Sequence, residues 1–146
     1  MKELKLGITE KGIVHKDQNP FDLDTRFRMV KESGVYDYYD KTPEDPALFD
    51  DYMAASEKYG IPIRAGGWFY ELGKDEQLFR DKLELSARLG SKVHNTQVRA
   101  RHADGHFVTN DEVFEFYMMA AELGDACGCY PTFEVHINMW SEDFRR

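Results

Sequence analysis

Apolar residues follow two different spacings along this chain, and the two spacings alternate. In five short segments they recur at every second position or occur as runs of β-branched and aromatic residues, which is typical of strands. Between these segments they recur three or four positions apart, which is typical of helices with one buried face. The predicted strands cover residues 4–9, 35–39, 61–65, 92–98 and 133–140, and the predicted helices lie within residues 22–34, 45–60, 75–90 and 109–124.

Standard start and stop signals bound the four predicted helices. Asp45 precedes Pro46, which is a capping residue followed by proline at the first helical position. Thr109 and Glu112 have the spacing of a capping box. The other capping candidates are Asp22 or Asp24, and Asp75. The predicted helix ends are Gly34, Gly60, Gly90 and Gly124.

The order βαβαβαβαβ predicts parallel strands joined by right-handed crossovers, and two architectures fit it. An open dinucleotide-binding sheet needs a glycine-rich turn directly after its first strand, and residues 10–13 (Glu-Lys-Gly-Ile) lack that fingerprint. Strands of an open parallel sheet are also apolar on both faces, whereas barrel strands carry polar residues near their catalytic end. The polar residues of the predicted strands are Asp37, Arg64, Asn95 or His94, and Glu134. We therefore predict an α/β fold, part of a (β/α)8 TIM barrel.

The chain is too short for a whole barrel of this type. A (β/α)8 barrel takes about 250 residues, and 146 residues supply four strand–helix units and a fifth strand. Residues 141–143 (Ser-Glu-Asp) have the composition of a helix start, but a fifth helix from there reaches only Arg146. Alone, such a half would leave open sheet edges at its first and last strands. We therefore expect residues 1–146 to be a single domain, the N-terminal half of a barrel, either truncated or paired with a second copy or with the missing C-terminal half.

Composition and net charge argue against nucleic acid and membranes as partners of this chain. Hydrophobic residues make up 42% of the chain and aromatic residues 14%, which is typical of a globular protein. The net charge of −8 argues against nucleic acid as a partner, because phosphate binding needs clustered lysine and arginine. No apolar run approaches a membrane span and the first residues lack the core of a secretory signal, so we expect a cytoplasmic protein. Cys127 and Cys129 are too close in sequence for an ordinary disulfide and are expected to be reduced.

The last predicted strand carries the strongest candidate chemistry. With a period of two, its polar residues share one face and its apolar residues share the other. The polar face carries Glu134, His136 and Asn138, and the apolar face carries Phe133, Val135 and Ile137. Burying a carboxylate, an imidazole and an amide is costly unless partners or a metal satisfy them, so we interpret this face as the wall of an active site. The alternative is an exposed antiparallel strand with a polar outer face.

Further candidates lie on the third and fourth strands and directly after strands. The two faces of the fourth strand do not differ in polarity, so either of two pairs could face inward: His94 with Thr96, or Asn95 with Gln97. Trp68 and Trp140 follow the third and fifth strands, where aromatic rings could shield a substrate from water. Core packing is an equal explanation for both tryptophans.

Two histidines in the loop after the fourth strand are weaker candidates. His102 and His106 are spaced four residues apart, as metal-binding histidines on a helix would be. The Asp-Gly pair between them favours a turn and argues against a helix there. We therefore assign them mainly to solvent, and His15 in the first loop is uninformative.

Three segments resemble the xylose isomerase-like TIM barrels, the sugar phosphate isomerase/epimerase superfamily, which also contains an apurinic endonuclease branch. They are residues 6–8 (Leu-Gly-Ile), 94–97 (His-Asn-Thr-Gln) and 133–136 (Phe-Glu-Val-His). The resemblance spans the whole chain but covers the first half of such a barrel. It implies a divalent metal (manganese, magnesium, cobalt or zinc) at the mouth of the barrel, with Glu134 as one ligand and three further ligands beyond Arg146.

The resemblance also implies further site residues. The endonuclease branch adds histidine ligands from earlier strands, and His94 is the candidate for such a ligand here. A second histidine would be expected on strand three, but Arg64 and Trp68 occupy that region instead. Glu134 would act as metal ligand and base. His136, on the same predicted strand face, could bind the metal, orient Glu134 or bind substrate hydroxyl groups as a catalytic residue, and a structural histidine is an equal explanation. The predicted substrate-binding residues are Arg64, Trp68, Asn95, Gln97, Asn138 and Trp140.

The reaction that the resemblance implies is proton transfer next to a carbonyl group. The metal polarises the oxygens of an open-chain sugar and stabilises the enediolate that forms when a carbon-bound proton leaves. We therefore expect the N-terminal part of a metal-dependent sugar or sugar phosphate isomerase or epimerase, with a small sugar or polyol as its ligand and no activity on its own. Two alternatives stay open: a catalytically silent half-barrel that acts through homo-oligomeric association, and an apurinic endonuclease-like metal enzyme.

Overall fold

The computed structural model describes residues 4–13 and 21–142 of the chain. The strands in this part of the chain are β1 (Gly7–Thr9), β2 (Tyr38–Asp40), β3 (Ile63–Tyr70), β4 (Val93–Val98) and β5 (Tyr130–Phe133). The α-helices between them are α1 (Leu23–Ser33), α2 (Phe49–Tyr59), α3 (Glu76–Arg88) and α4 (Asn110–Cys127). Short 3-10 helices cover Glu10–Gly12, Pro46–Leu48 and Trp140–Glu142. The predicted alternation of strands and helices is confirmed.

Two features named from the sequence lie outside the described residues. These are His15 in the first loop and residues 143–146 of the predicted fifth helix. Ser141 and Glu142, which would begin that helix, belong to the last 3-10 helix.

The first of two compact units covers Met1–Gly66. In it β1 pairs with β2 and β2 pairs with β3, all in parallel, with Gly7 opposite Tyr38 and Tyr39 opposite Ile63. Aromatic rings from α1, β2 and α2 build its core, and they belong to Phe27, Tyr39 and Tyr52. The parallel pairing of this unit is the one that strand–helix–strand units produce.

The second compact unit covers Gly67–Arg146. In it β4 and β5 pair in parallel, from Val93 opposite Tyr130 to Thr96 opposite Phe133. Its hydrophobic core lies where α3 and α4 cover the strands, and includes Tyr70, Phe79, Leu83, Val98, Val113, Phe116 and Ala120. The single domain predicted over residues 1–146 stays a prediction.

Within each unit the strands follow one another in the order of the sequence, β1-β2-β3 in the first and β3-β4-β5 in the second. An open doubly wound sheet reverses its strand order at a switch point. In a (β/α)8 barrel each new strand joins the sheet beside the previous one. The order in each unit is the one that barrel strands have.

The predicted caps account for most helix boundaries. Asp22 caps α1, because its carboxylate accepts a hydrogen bond from the N–H of Thr25 at 2.7 Å. Thr109 and Glu112 form the predicted capping box of α4. The predicted glycines Gly34, Gly60 and Gly90 follow the ends of α1, α2 and α3.

The prediction that α4 ends at Gly124 is wrong. The helix continues to Cys127 and ends at Gly128, which has a φ of +70°. Gly124 lies inside the helix, and a Cβ there would lie 3.0 Å from Cδ of Pro131. A glycine that permits close packing and a glycine that ends a helix look alike in sequence, so the pattern does not separate them.

Gly128→Ala is expected to lower the free energy of unfolding by about 1–2 kcal/mol, because a β-carbon is strained in the left-handed region. Gly128→Asn is expected to cost less, since asparagine tolerates this conformation better than alanine. Urea denaturation followed by circular dichroism measures both variants. Equal midpoints for wild type and Gly128→Ala would contradict the left-handed helix end.

The bounds of the first three strands differ from the prediction. The third strand, predicted over residues 61–65, starts at Ile63 and continues to Tyr70, whose side chain is fully buried. Paired glycines favour turns, but here the aromatic residues that follow them continue the strand. β1 and β2 start three residues later than predicted, at Gly7 and Tyr38.

The strand predicted at residues 133–140 is wrong beyond Phe133, where β5 ends. Val135 is 62% exposed and Ile137 is 65% exposed, so the alternation of apolar residues there does not reflect burial. Asn138 has a φ of +62°, which no strand accommodates. The polar side chains of this segment therefore do not share one strand face.

Two expectations from composition concern the cysteines and the membrane. Cys127 is exposed and Cys129 is buried, and both are free thiols. Among the described residues, none of the helices has the length and apolar content that crossing a membrane requires. The cytoplasmic location stays a prediction.

Candidate active site

The carboxylate of Glu134 lies directly after β5 and is held by two amide side chains of β4. Its Oε2 accepts hydrogen bonds from Nδ2 of Asn95 at 2.6 Å and from Nε2 of Gln97 at 2.5 Å. The backbone N–H of Glu134 donates to the carbonyl oxygen of Thr96 at 3.0 Å, which extends the ladder between β4 and β5 by one residue. Within the described residues no hydrogen bond reaches Oε1. One carboxylate oxygen is thus fixed and the other is available.

The two faces of β4 separate clearly in the structure. Asn95 and Gln97 reach the carboxylate, whereas His94 and Thr96 are fully buried on the other face. Of the two pairs left open by the sequence, Asn95 and Gln97 are therefore the pair that meets Glu134. Side chains on paired strands alternate together, so the carboxylate and both amides lie on one face.

His94 is enclosed in the hydrophobic core, and both its ring nitrogens have partners. Nε2 lies 2.8 Å from the hydroxyl of Tyr70, and Nδ1 lies 2.9 Å from the hydroxyl of Ser86. Burial lowers the pKa of His94 to about 4, and the positive charge of Lys82 acts in the same direction. The predicted role of His94 as a metal ligand disagrees with this placement, because neither nitrogen is free to bind an ion.

His136 and Asn138 lie on a turn that follows β5. The N–H of Met139 donates to the carbonyl oxygen of His136 at 3.2 Å. Nδ1 of His136 lies 2.8 Å from the carbonyl oxygen of Ile137, and Asn138 is exposed. The predicted shared face of Glu134, His136 and Asn138 is therefore wrong, and the catalytic role of His136 and the substrate role of Asn138 stay predictions.

Sequence reasoning missed Phe69, which lies beside His136, and Arg99, which lies beside Phe69. The rings of Phe69 and His136 meet edge to face with centroids 6.0 Å apart, and the Arg99 guanidinium lies 5.7 Å from the Phe69 ring centre. Trp68 and Tyr70 pack into the core from the opposite face of β3. Period-two alternation along a longer third strand is the signal that would have identified Phe69.

Both predicted substrate-binding tryptophans pack against the hydrophobic core of the second unit. The ammonium group of Lys82 lies 4.9 Å from the ring centre of Trp68. Trp140 meets Tyr117 edge to face at 6.0 Å, and its indole Nε1 is buried without a hydrogen-bond partner among the described residues. Core packing accounts for both rings, and their substrate-binding roles stay predictions.

Arg64 belongs to the first compact unit. Its guanidinium lies 4.8 Å from the ring centre of Tyr38, and its backbone is opposite Asp40 in the pairing of β2 with β3. Burial raises the pKa of Asp40 to about 6, and the positive charge of Arg64 opposes that shift. The substrate-binding role of Arg64 stays a prediction.

The family resemblance implies a metal ion, and this site offers one ligand for it, the carboxylate of Glu134. Oε1 of Glu134 is oriented by the two hydrogen bonds to Oε2, which suits a monodentate metal ligand. Among residues 4–13 and 21–142, the side chains close enough to hold a metal together are instead His102, His106 and Glu112. The described residues therefore fit a contribution of one ligand at Glu134, and the other ligands would come from elsewhere.

Several solved structures are similar to this chain, and two of them are described below, although no family model and no curated protein matches it. The first is the 3-keto-D-glucoside 4-epimerase YcjR from E. coli in its apo form, with a TM-score of 0.65 and 17% identity over 90% of this chain and 56% of that chain. The second is a type I 3-dehydroquinate dehydratase from Clostridium difficile, with a TM-score of 0.57 and 14% identity over 89% of this chain and 51% of that chain. The chain thus spans about half the length of these enzymes.

These similarities confirm the predicted fold class. The epimerase is a TIM barrel, so this α/β chain has the fold of part of a (β/α)8 barrel. By their names the two enzymes catalyse different reactions, an epimerisation and a dehydration. At such low sequence identity the similarity establishes the fold and leaves the reaction open.

Proposed function

We propose that this chain supplies part of the active site of a sugar isomerase or epimerase, with Glu134 as its central residue. The observation that carries the proposal is the carboxylate held through one oxygen by Asn95 and Gln97. Glu134 lies at the carboxyl end of β5, the end at which barrel enzymes place their catalytic groups. The similarity to an epimerase barrel supports the proposal at the level of fold. Residues outside the described part of the chain would complete the site.

Glu134 is suited to proton transfer next to a carbonyl group. A carboxylate that acts as a base needs a fixed orientation and a free lone pair. The two amides fix Oε2 and leave the lone pairs of Oε1. In this proposal Oε1 accepts a carbon-bound proton from an open-chain sugar, which leaves an enediolate, and the proton returns to the same or the neighbouring carbon.

A divalent metal at this site would be held in part by Glu134, through a lone pair of Oε1. When bound, manganese, magnesium, cobalt or zinc supplies positive charge that polarises the carbonyl and hydroxyl oxygens of a sugar. The two amides keep the carboxylate from rotating, and so determine where its free oxygen points.

Gln97 would position a sugar hydroxyl beside the carboxylate. Its side chain is 7% exposed, and its Oε1 is buried without a hydrogen-bond partner among the described residues. An unpaired buried acceptor costs about 1–3 kcal/mol, which a donor on a ligand would recover. Because the same amide donates to Glu134, a hydroxyl bound to Gln97 would lie close to the base.

The two alternative functions have less support. The net charge of −8 weighs against an apurinic endonuclease-like enzyme, which must approach the DNA backbone. A catalytically silent half-barrel that associates with a second copy stays a prediction. An oriented carboxylate next to an unpaired buried acceptor favours an active site over either alternative.

The side-chain NH2 groups of Asn95 and Gln97 can test the proposal, since both donate to the Glu134 carboxylate. We expect Mn²⁺ added to the full chain to broaden their signals in ¹H–¹⁵N NMR spectra, and an aldose, ketose or polyol to shift them. In Glu134→Gln, about tenfold more Mn²⁺ or more is expected to be needed for the same broadening, because a neutral amide is a weaker metal ligand than a carboxylate.

Glu122→Gln is the matched control, because it makes the same chemical change at an exposed position of α4. This variant is expected to show the Mn²⁺ broadening of the wild type. Broadening that persists in Glu134→Gln would contradict the metal role. Signals that no sugar or polyol shifts would contradict a carbohydrate site.

A further inference from the structure

A short hairpin after β4 places two histidines side by side. Arg101 and Phe107 form an antiparallel bridge, and the N–H of His102 donates to the carbonyl oxygen of His106 at 3.0 Å. Gly105 makes the turn with a φ of +92°. The two imidazole rings stack, with centroids 4.1 Å apart and planes 18° from parallel. The Asp-Gly pair that argued against a metal-binding helix thus forms the turn that brings the rings together.

Glu112, in the first turn of α4, lies against this pair. Its Oε2 accepts from the backbone N–H and the hydroxyl of Thr109, at 2.8 and 2.7 Å. Its Oε1 lies 3.1 Å from Nε2 of His102. One ligand atom from each of His102, His106 and Glu112 lies within 4.8 Å of the other two.

Each histidine has its Nδ1 next to an oxygen acceptor, which leaves Nε2 as the possible ligand. Nδ1 of His102 lies 2.9 Å from the carbonyl oxygen of Leu72, and Nδ1 of His106 contacts the carboxylate of Asp104. With its proton on Nδ1, as these acceptors require, a neutral ring carries a lone pair on Nε2. Metal-bound histidines in proteins donate their other N–H to a carbonyl or a carboxylate in this way.

A cation would satisfy the contact between His102 and Glu112. Nε2 of His102 is buried and makes no hydrogen bond to the described residues, although Oε1 of Glu112 is 3.1 Å away. A lone pair that faces a carboxylate oxygen at this distance is unfavourable. Two further carboxylates, of Glu76 and Glu115, line a cavity beside Glu112, and this negative charge favours a cation over other ligands.

We propose that His102, His106 and Glu112 bind one Zn²⁺ ion. Two imidazole nitrogens and one carboxylate oxygen suit zinc, whereas magnesium and calcium take oxygen ligands. Tetrahedral zinc holds such atoms about 3.3–3.5 Å apart, and His102 and Glu112 are already close to that spacing. His106, whose side chain is 59% exposed, has the freedom to move the remaining distance.

The zinc ion would join three parts of the second unit. It would tie the hairpin to the first turn of α4 and, through the bond of His102 to Leu72, to the turn after β3. Three protein ligands leave a fourth position for water. The zinc site shares no residue with the proposed sugar site, so either proposal can fail without the other.

Calorimetric titration of the full chain with ZnCl2 tests the proposal. We expect saturable binding of one ion, with ¹⁵N shifts at Nε2 of both His102 and His106. His106→Gln removes an exposed ligand and leaves the core intact, and it is expected to weaken zinc binding by about tenfold or more. Glu122→Gln, at an exposed glutamate on the same helix that does not line this cavity, is expected to bind zinc as the wild type does.

Three results would overturn the proposal. These are an unchanged zinc affinity in His106→Gln, the lack of saturable binding, and zinc-dependent shifts confined to other histidines. The exposed thiol of Cys127 is also a possible zinc ligand. Unchanged binding in Cys127→Ser supports the histidine site, and a loss of binding in that variant would assign the ion to the cysteines instead.

Discussion

Phe79→Ala is expected to lower the free energy of unfolding of the second compact unit by about 3–5 kcal/mol, the usual cost of truncating a buried phenylalanine. Phe79 lies on α3 and is fully buried. Its ring meets those of Phe116 and Tyr70 edge to face, with centroids 4.9 and 5.2 Å apart. The ring therefore joins α3 to both α4 and β3, and its removal leaves a cavity between these three elements. Because small domains are stable by only about 5–15 kcal/mol, this loss would be a large share of the total.

Tryptophan fluorescence during urea denaturation measures this effect directly. The chain contains two tryptophans, Trp68 and Trp140, and both belong to the second unit. Phe114→Ala is the matched control, because Phe114 on α4 is 65% exposed. Losing that ring is expected to change the free energy of unfolding by less than about 0.5 kcal/mol. Equal midpoints for the two variants would show that α3 does not pack against α4 and β3 in this way.

The second large effect is a loss of stability in acid that depends on His94. Burial lowers the pKa of His94 in the folded state to about 4, whereas histidine in an unfolded chain has a pKa of about 6.5. Between these values the unfolded state binds more protons than the folded state, so stability falls as the pH falls. The contribution of neutral His94 to the free energy of unfolding is fully present above a pH of about 6.5. At a pH near 4, about 3 kcal/mol of this contribution is lost.

His94→Gln removes the titrating ring and isolates this contribution. The difference in unfolding free energy between wild type and variant is expected to shrink by about 3 kcal/mol as the pH is lowered from 7 to 4. Urea denaturation at each pH provides the measurement. Asp40, whose raised pKa has the opposite effect on stability, is common to both proteins and cancels in the difference. Parallel stability profiles would mean that the pKa of His94 is not lowered in the folded protein.

Three histidines of this chain differ in whether a ring nitrogen is free to bind a metal ion. The family resemblance pointed to His94, but Tyr70 and Ser86 occupy both of its nitrogens. His102 and His106 looked like solvent residues, but each has one nitrogen engaged by an oxygen atom and the other available. Which nitrogen is free depends on residues distant in sequence, such as Leu72, and the spacing of the histidines does not reveal it.

Element order and most helix boundaries could be predicted because their causes are local. Asp22 caps a residue three positions away, and the capping box of α4 joins Thr109 to Glu112. The glycine that ends α4 is the exception, since Gly124 lies inside the helix, where a Cβ would lie 3.0 Å from Cδ of Pro131. The end of β5 also escaped prediction, because the apolar residues after it look like strand residues but are exposed.

The amino-acid sequence by itself determined the α/β alternation and most of the helix caps. Each of these follows from residues within a few positions of one another. Only the tertiary structure decided that Asn95 and Gln97 hold the carboxylate, across 39 and 37 residues of chain. It also decided that Glu112 meets the two loop histidines. Such contacts depend on how distant segments pair and pack, and no local pattern specifies that pairing.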